Sequence, residues 1–296
     1  MIPTPLHQSR RLGRLTIHAL QAGGQLLDGG AMFGVVPKTL WEKRIPADAR
    51  NRIQLGMRCL LVEHDDALVL IDTGLGNKEA QKFLDIYGVE NGSATGTTML
   101  DDALAAAGYS AADITLVINT HLHFDHAGGN TLIDADGVLR AGFPNARYIV
   151  QRGELDYATH TNERTSASYF ARNWAPLLAT GQLELIEGDR EILPGIRVRR
   201  TPGHTPHHQS VLIESGGETA CFLADLIPTA AHLPLPWIMG YDVEPLVTLE
   251  SKRTVLHDAT AGEWLMVFEH DARNAWGMVS HDGKQYALRE GHEMSE

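Results

Sequence analysis

The sequence predicts an α/β fold, a single domain in which two sheets are covered by helices. Three observations carry that expectation. Strand-like and helix-like runs recur in both halves of the 296-residue chain. No Pro/Gly/Ser-rich linker or block of like charge separates the halves, and no short repeat is evident. Hydrophobic residues make up 43% and charged residues 21%, the balance of a packed globular domain rather than a disordered or collagen-like chain.

The elements follow in chain order. Residues 15–20 (LTIHAL) have strand composition, and 57–63 with 67–72 form a hairpin pattern around His64-Asp65-Asp66. Residues 99–107 (MLDDALAAA) carry Ala and Leu at helical spacing and stop at Gly108. The short apolar run ITLVIN at 114–119 reads as a buried strand, and 147–151 as another. A helix is expected at 166–175, ended ahead of Pro176 because proline disfavours helical backbone in the residue before it. Strands are expected at 183–186 and 196–199, and a second hairpin over 210–214 and 219–223 around Gly216-Gly217. Residues 247–257 read as helix, 264–268 as strand, and 276–288 as a last hairpin turning at Asp282-Gly283. Segments 1–14 and 290–296 are read as a loose N-terminal extension and a loose tail.

Lys and Arg number 25 against 37 Asp and Glu, a formal net charge of −12. So acidic a surface repels phosphate backbones, and no nucleic-acid partner is expected. Cys59 and Cys221 lie in apolar runs and read as buried free thiols, which suits a reducing compartment. Arg10, Arg11 and Arg14 precede a stretch broken by His18 and Gln21, unlike the apolar core of a signal peptide. No apolar run approaches the ~20 residues that span a bilayer. A soluble, cytoplasmic protein with no membrane partner is the expectation.

Chemistry concentrates in HLHFDH, residues 121–126, directly after ITLVIN and Thr120. In extended backbone His121 and His123 share a face. Asp125 and His126 can swing to the other side of the same site as the chain turns into a helix, helped by the small Gly128 and Gly129. Imidazole with carboxylate favours zinc, iron, manganese or cobalt over calcium or magnesium. Three further candidates end strand-like runs: His204 in the turn TPGHTP, Asp225 after 221–224, and His270 after 267–269. Alone, each would read as a capping or satisfied polar group. Strand ends on one sheet edge converge, so together they bring five histidines and two aspartates to one place. That exceeds one tetrahedral zinc site and suits two ions sharing a bridging carboxylate.

The set resembles the metallo-β-lactamase superfamily: HxHxDH, a later His in a TPGH turn, an Asp after an apolar strand and a final His occur in the family's order. The IDTG segment (Ile71, Asp72, Thr73, Gly74) also matches a family signature. The resemblance implies an αβ/βα four-layer sandwich spanning 1–296. His121, His123 and His204 would hold one metal ion, Asp125, His126 and His270 a second, and Asp225 would bridge them. Asp72 would support a ligand from behind, and His208 is read the same way. Zinc is the expected metal, with iron, manganese or cobalt as alternatives. HLHFDHAGGN and TPGHTPHHQS look closest to the N-acyl homoserine lactonase branch, and the segments DGGAMFGVVP and IPTAAHLPLPWIMGYD look like a subgroup of it. Lactonases of this kind usually carry a Tyr three residues after the bridging Asp; here that position is Pro228. His207 stands where many relatives have Gly.

Met32, Phe33, Val35, Val36 and Trp41 form one apolar loop, and Leu233, Leu235, Trp237, Ile238 and Met239 another. They read equally as a pocket wall for an acyl or aromatic group, with Met32, Phe33, Trp237 and Met239 its candidate contacts, or as core or a homodimer interface. The implied chemistry is attack of a metal-bound hydroxide on a substrate carbonyl, with Asp125 passing a proton to the leaving group. The leading substrate is a lactone or carboxylic ester with an apolar arm. An aryl ester or organophosphate triester comes second, and a β-lactam third. Residues 92–96 lack the Lys and helix start of a phosphate loop, and no G-x-S-x-G turn supports a serine nucleophile. Iron redox chemistry is disfavoured because all seven ligand positions look intact without an added domain. A catalytically silent metal protein would bind metal but turn over no ester.

Overall fold

Strands whose alternating side chains are buried on both faces build the two sheets of the computed structural model, which describes residues 5–289. In chain order, β1 (His7–Leu12), β2 (Leu15–Asp28), β3 (Arg52–His64), β4 (Ala67–Ile71) and β5 (Leu116–Ile118) precede a small hairpin, β6 (Thr131–Ile133) and β7 (Leu139–Ala141). β8 (Arg147–Gln151) and β9 (Leu183–Ile186) follow, and the first sheet runs β1-β2-β3-β4-β5-β8-β9. Its first four strands pair antiparallel and the rest parallel. The second sheet runs in sequence order: β10 (Arg190–Leu193), β11 (Ile196–Arg200), β12 (Gln209–Ser215), β13 (Glu218–Phe222), β14 (Leu265–Val267), β15 (Trp276–His281) and β16 (Tyr286–Leu288). Only β13 and β14 pair parallel there. The helices are α1 (Gly29–Phe33), α2 (Lys38–Trp41), α3 (Gln81–Tyr87), α4 (Met99–Ala106), α5 (Phe124–Ala127), α6 (Arg152–Thr159), α7 (Ala175–Thr180) and α8 (Pro245–Ala261).

Alternation along β3 separates the layers. Leu60 and Val62 face the second sheet, meeting Val198, Val211, Phe222 and Val267. Cys59 and Leu61 face the other way, toward Leu100 and Leu104 of α4 and Leu155 of α6. On the far side, Leu212, Cys221 and Met266 pack under Val255, Leu256 and Ala259 of α8. The order is helix, sheet, sheet, helix, as the resemblance implied. Burying these apolar faces against one another is the main driving force for the arrangement.

The structure departs from the sequence expectation in several places. β1 falls inside the stretch read as a loose extension, yet it pairs with β2 along its length, and His7 Nε2 lies 2.8 Å from His18 Nδ1. Residues 290–296, read as a loose tail, lie outside the described residues, as do 1–4. β2 continues to Asp28, past a register shift between Gln21 and Gly23. There Gly23 takes a φ of +143°, and polar Gln21 and Gln25 hid the strand from an apolar reading. No α-helix spans 166–175: a 3₁₀ turn forms at Ala171–Asn173, and α7 begins only at Ala175. Turns lead instead into α7, with Pro176 in its first turn, where its missing N–H costs nothing. Residues 92–96 are ordered by the Asp102 carboxylate, which accepts from Ser93 Oγ at 2.8 Å and from the Ala94 N–H at 2.7 Å. Cys59 and Cys221 are buried and unbridged. Among the described residues no helix is long and apolar enough to cross a membrane.

Parallel pairing sets the site. β4 runs beside β5, and β13 beside β14, so the residues that follow their C-terminal ends gather at one edge of the sandwich. Asp72, His121, Asp225 and His270 all follow such ends, the usual place for ligand sites in open α/β sheets.

Candidate metal centre

HLHFDH leaves β5 extended and turns at His123 into α5, so the first two histidines and the Asp125-His126 pair approach one point from different directions. The Thr120 N–H and Oγ1 donate to Asp72 at 2.8 and 2.6 Å, fixing the strand end. Glycine is required just beyond: a Cβ on Gly128 would lie 2.1 Å from the Leu75 carbonyl oxygen, and one on Gly129 2.2 Å from that of Thr73.

Asp225 sits between two groups of side chains. Its Oδ2 lies 3.0 Å from His204 Nε2, 3.4 Å from His126 Nε2 and 3.8 Å from His121 Nε2, while Oδ1 lies 3.0 Å from His270 Nε2. His204 Nε2 faces His123 Nδ1 at 3.1 Å, and His270 Nε2 faces His126 Nε2 at 3.2 Å. His121, His123, His204 and Asp225 form one group with a ligand atom each, all within 4.8 Å of one another; Asp125, His126 and His270 form another.

Four of the five imidazoles are oriented from behind. His121 Nδ1 meets Thr120 Oγ1 at 3.1 Å, and His270 Nδ1 donates to the Gly56 carbonyl at 2.7 Å. His204 Nδ1 faces Asp242 Oδ1 at 2.9 Å, and His126 Nδ1 faces both Asp72 Oδ2 at 3.1 Å and Glu269 Oε2 at 3.0 Å. Such partners fix ring orientation and leave the inner nitrogen free for a metal. One inner atom, His121 Nε2, is buried with no hydrogen-bond partner. Buried polar groups are rarely left so, and the donor set is the one borderline divalent ions prefer. The residues therefore fit two divalent metal ions.

Charge distribution agrees. Burial, and then neighbouring imidazoles, hold His121 and His123 well below the usual histidine range. Burial also opposes charge on His204 and His270, but Asp225, joined by Asp242 at His204 and by Glu269 at His270, outweighs it and raises them to about 10 and about 9. Burial would raise Asp225, yet His204, His126 and His270 hold it well below the usual carboxylate range. The cluster gathers cations around one buried carboxylate.

The centre forms the floor of a cavity of about 350 Å³. Leu27, Met32, Leu55 and Met239 supply its apolar side; Gln25, Tyr87, Arg164, Ser168 and Tyr241 supply polar groups. Of the four residues expected in the pocket, Met32 and Met239 line it. Phe33 and Trp237 are not among the lining residues: Phe33 is fully buried between Trp41 and His232, with ring centroids at 5.2 and 4.4 Å, and the Trp237 ring meets it edge-on at 5.6 Å. His208 is buried 5.2 Å from the His121 ring, with Nδ1 on Thr201 Oγ1 at 2.9 Å. His207 packs against Gly153 instead. The Pro228 carbonyl accepts from the His270 N–H at 3.0 Å.

Several partners were missed by the sequence reading. Gln25 donates from Nε2 to Asp125 Oδ2 at 2.6 Å, Asp242 and Glu269 hold ligand rings, and buried Glu154 ties both ligand loops together. Glu154 accepts from the Leu122 N–H, Tyr169 OH and Thr205 Oγ1 at 3.1, 2.9 and 2.7 Å. Only Glu269, adjacent to His270, carried a positional hint.

Comparison with known proteins accords with this geometry. An N-acyl homoserine lactonase from Bacillus sp is 34% identical over 172 residues, covering 55% of this chain and 60% of that protein. The match thus spans about three fifths of that relative's length. The N-acyl homoserine lactonase AttM of Rhizobium radiobacter is 30% identical over 196 residues, 63% of this chain and 68% of AttM. A solved structure of a probable metal-dependent hydrolase from Staphylococcus aureus superposes with a TM-score of 0.84 at 34% identity, covering 95% of this chain and 99% of that one. The dizinc quorum-quenching lactonase AidC, solved with the product N-hexanoyl-L-homoserine, has a TM-score of 0.80 at 22% identity, covering 98% of both chains, and shares the fold. The family model of the metallo-beta-lactamase superfamily matches residues 58–273, and the chain belongs to that superfamily.

Proposed function

We propose that this chain is a dinuclear metal-dependent hydrolase that opens a lactone or carboxylic ester bearing an apolar arm. The observation that carries the reading is the pair of His/Asp groups joined by Asp225 on the floor of a cavity with one apolar side. His121, His123 and His204 would hold one ion, Asp125, His126 and His270 the other, with Asp225 shared. Two divalent ions held there, zinc being the metal we favour, would supply Lewis acidity and acidify a bound water toward neutrality.

The chain's own groups do the rest. Asp225 meets His204 through Oδ2 and His270 through Oδ1, one ring from each group, which suits a bridging carboxylate. Asp125 is held by Gln25 through Oδ2 while Oδ1 lies 3.8 Å from His126 Nε2, and its carboxylate lines the cavity, within reach of a leaving alkoxide that needs a proton. Leu27, Met32, Leu55 and Met239 exclude water on the side where an acyl arm would lie. Pro228 offers no hydroxyl, but two phenols line the cavity from elsewhere. Burial, and then Asp125, push the Tyr87 phenol up, and burial first of all takes Tyr241 to about 12, so both remain proton donors at neutral pH. Either can hydrogen-bond a substrate carbonyl.

The test is proton release from N-decanoyl homoserine lactone, read with a pH indicator on zinc-loaded protein. Rapid release that a chelator abolishes is the expected result. Silence with two metals bound would contradict the lactone reading. Aryl esters and phosphotriesters, whose attack needs no hydroxyl at position 228, would then be the class to examine.

A further inference from the structure

Lys252 is 1% exposed in the middle of α8, and its hydrogen-bond partners are carbonyls rather than carboxylates. Its Nζ donates to the carbonyls of His232 at 2.7 Å, Pro234 at 3.1 Å and Trp237 at 2.8 Å. An ammonium has three donors, and all three are used. Taking that charge out of water is costly unless it is fully hydrogen-bonded.

The three carbonyls belong to residues 229–243, a connection whose only helical piece is a single 3₁₀ turn, Ala230–His232. Lacking a ladder or helix of its own, such a segment must find donors elsewhere. It carries Met239, Gly240, Tyr241 and Val243 of the cavity wall. It also meets the opposite wall, where the Gly240 N–H donates to the Ala31 carbonyl at 2.8 Å and the His232 ring meets the Met32 carbonyl at 2.9 Å.

We propose that Lys252 is a positioning residue that sets the preference for the substrate's apolar arm, by fixing through three carbonyls the segment that carries Met239 and Tyr241. The proposal rests on the lactone or ester reading above. Lys252 touches no substrate; it acts by holding the wall in one shape.

The test pairs Lys252→Met, which keeps an apolar stem of similar length, with Lys252→Ala, and reads hydrogen exchange alongside kinetics on the zinc-loaded protein. Exchange across 229–243 should quicken by at least about tenfold in both variants while β3 is unchanged. KM for N-decanoyl homoserine lactone should rise about tenfold, with the KM for the N-butanoyl lactone within about threefold of wild type. In Lys252→Ala, n-propylammonium replaces the deleted atoms and should restore both readouts, whereas 1-propanol, of similar size but uncharged, should not.

Wild-type exchange in both variants, or equal rescue by 1-propanol, would overturn the proposal. Should the variants fail to fold, refolding Lys252→Ala with each additive decides it: recovery with propylammonium alone supports the role, and recovery with neither counts against it. If the wild type opens no lactone, that reading fails, while exchange and rescue still decide whether Lys252 holds the wall.

Discussion

Asp242 Oδ1 lies 2.9 Å from His204 Nδ1, so a carboxylate from the segment before α8 orients a candidate metal ligand from the turn after β11. Both side chains are buried. The pair links the cavity wall to the candidate metal centre, because Tyr241 and Val243 flank Asp242 in sequence and line the cavity. Asp242→Ala should free the His204 ring, weakening metal retention at its group and lowering turnover by about ten- to a hundredfold. Metal content by elemental analysis, with kcat on the same sample, checks it; unchanged values for both would remove Asp242 from the centre.

Gln25 acts on the other group. Its Nε2 holds Asp125 Oδ2 at 2.6 Å, deep in β2. Gln25→Leu should leave the lactone KM within about twofold and lower kcat by about tenfold, because a misaligned Asp125 affects proton transfer more than binding. A matched rise in KM with unchanged kcat would instead make Gln25 a substrate contact.

The candidate ligands were legible in the sequence because a metal centre needs particular residue types, and HLHFDH, His204, Asp225 and His270 sit at strand ends whatever the loops do. The partners behind them were not legible. Asp242 and Glu154 are ordinary acidic residues until the chain folds, and Gln25 lies beyond a bulge where polar residues hid the continuing strand. Pro176 misled for a related reason, since proline ends a helix or begins one according to backbone outside its own neighbourhood. Phe33 and Trp237 are apolar enough for a pocket, but hydrophobicity alone does not distinguish a wall from the packing behind it.

Phe33 separates those two roles. It stacks between Trp41 and His232 with no exposure. Phe33→Ala should lower unfolding stability by about 3–5 kcal/mol, the usual cost of deleting a buried aromatic side chain. Urea denaturation measures it. A loss under about 1 kcal/mol, joined to a large KM change, would make Phe33 a substrate contact instead.

His232, which is not among the candidate ligands, supplies a pH signature. Burial, with Lys252 and His270 adding to it, takes its imidazole down to about 3 from the ordinary 6.5. Between those values the unfolded chain binds more protons than the folded one, so acid favours unfolding. The stability this residue contributes is whole above pH 6.5 and is lost as pH falls toward 3. Urea midpoints measured from pH 7 to pH 4.5 should fall more steeply for the wild type than for His232→Gln, by up to about 1.4 kcal/mol per pH unit. Parallel slopes would show that His232 does not titrate in this way.

The centre itself is tested most directly by counting metal ions on Asp225→Ala. One carboxylate lies 3.0 Å from both His204 and His270, so its loss should loosen both groups at once. Wild-type protein dialysed against zinc should hold two ions per chain, and Asp225→Ala fewer than one, with no measurable lactone opening. Two tightly held ions and wild-type turnover in Asp225→Ala would contradict the shared centre on which the proposed hydrolysis depends.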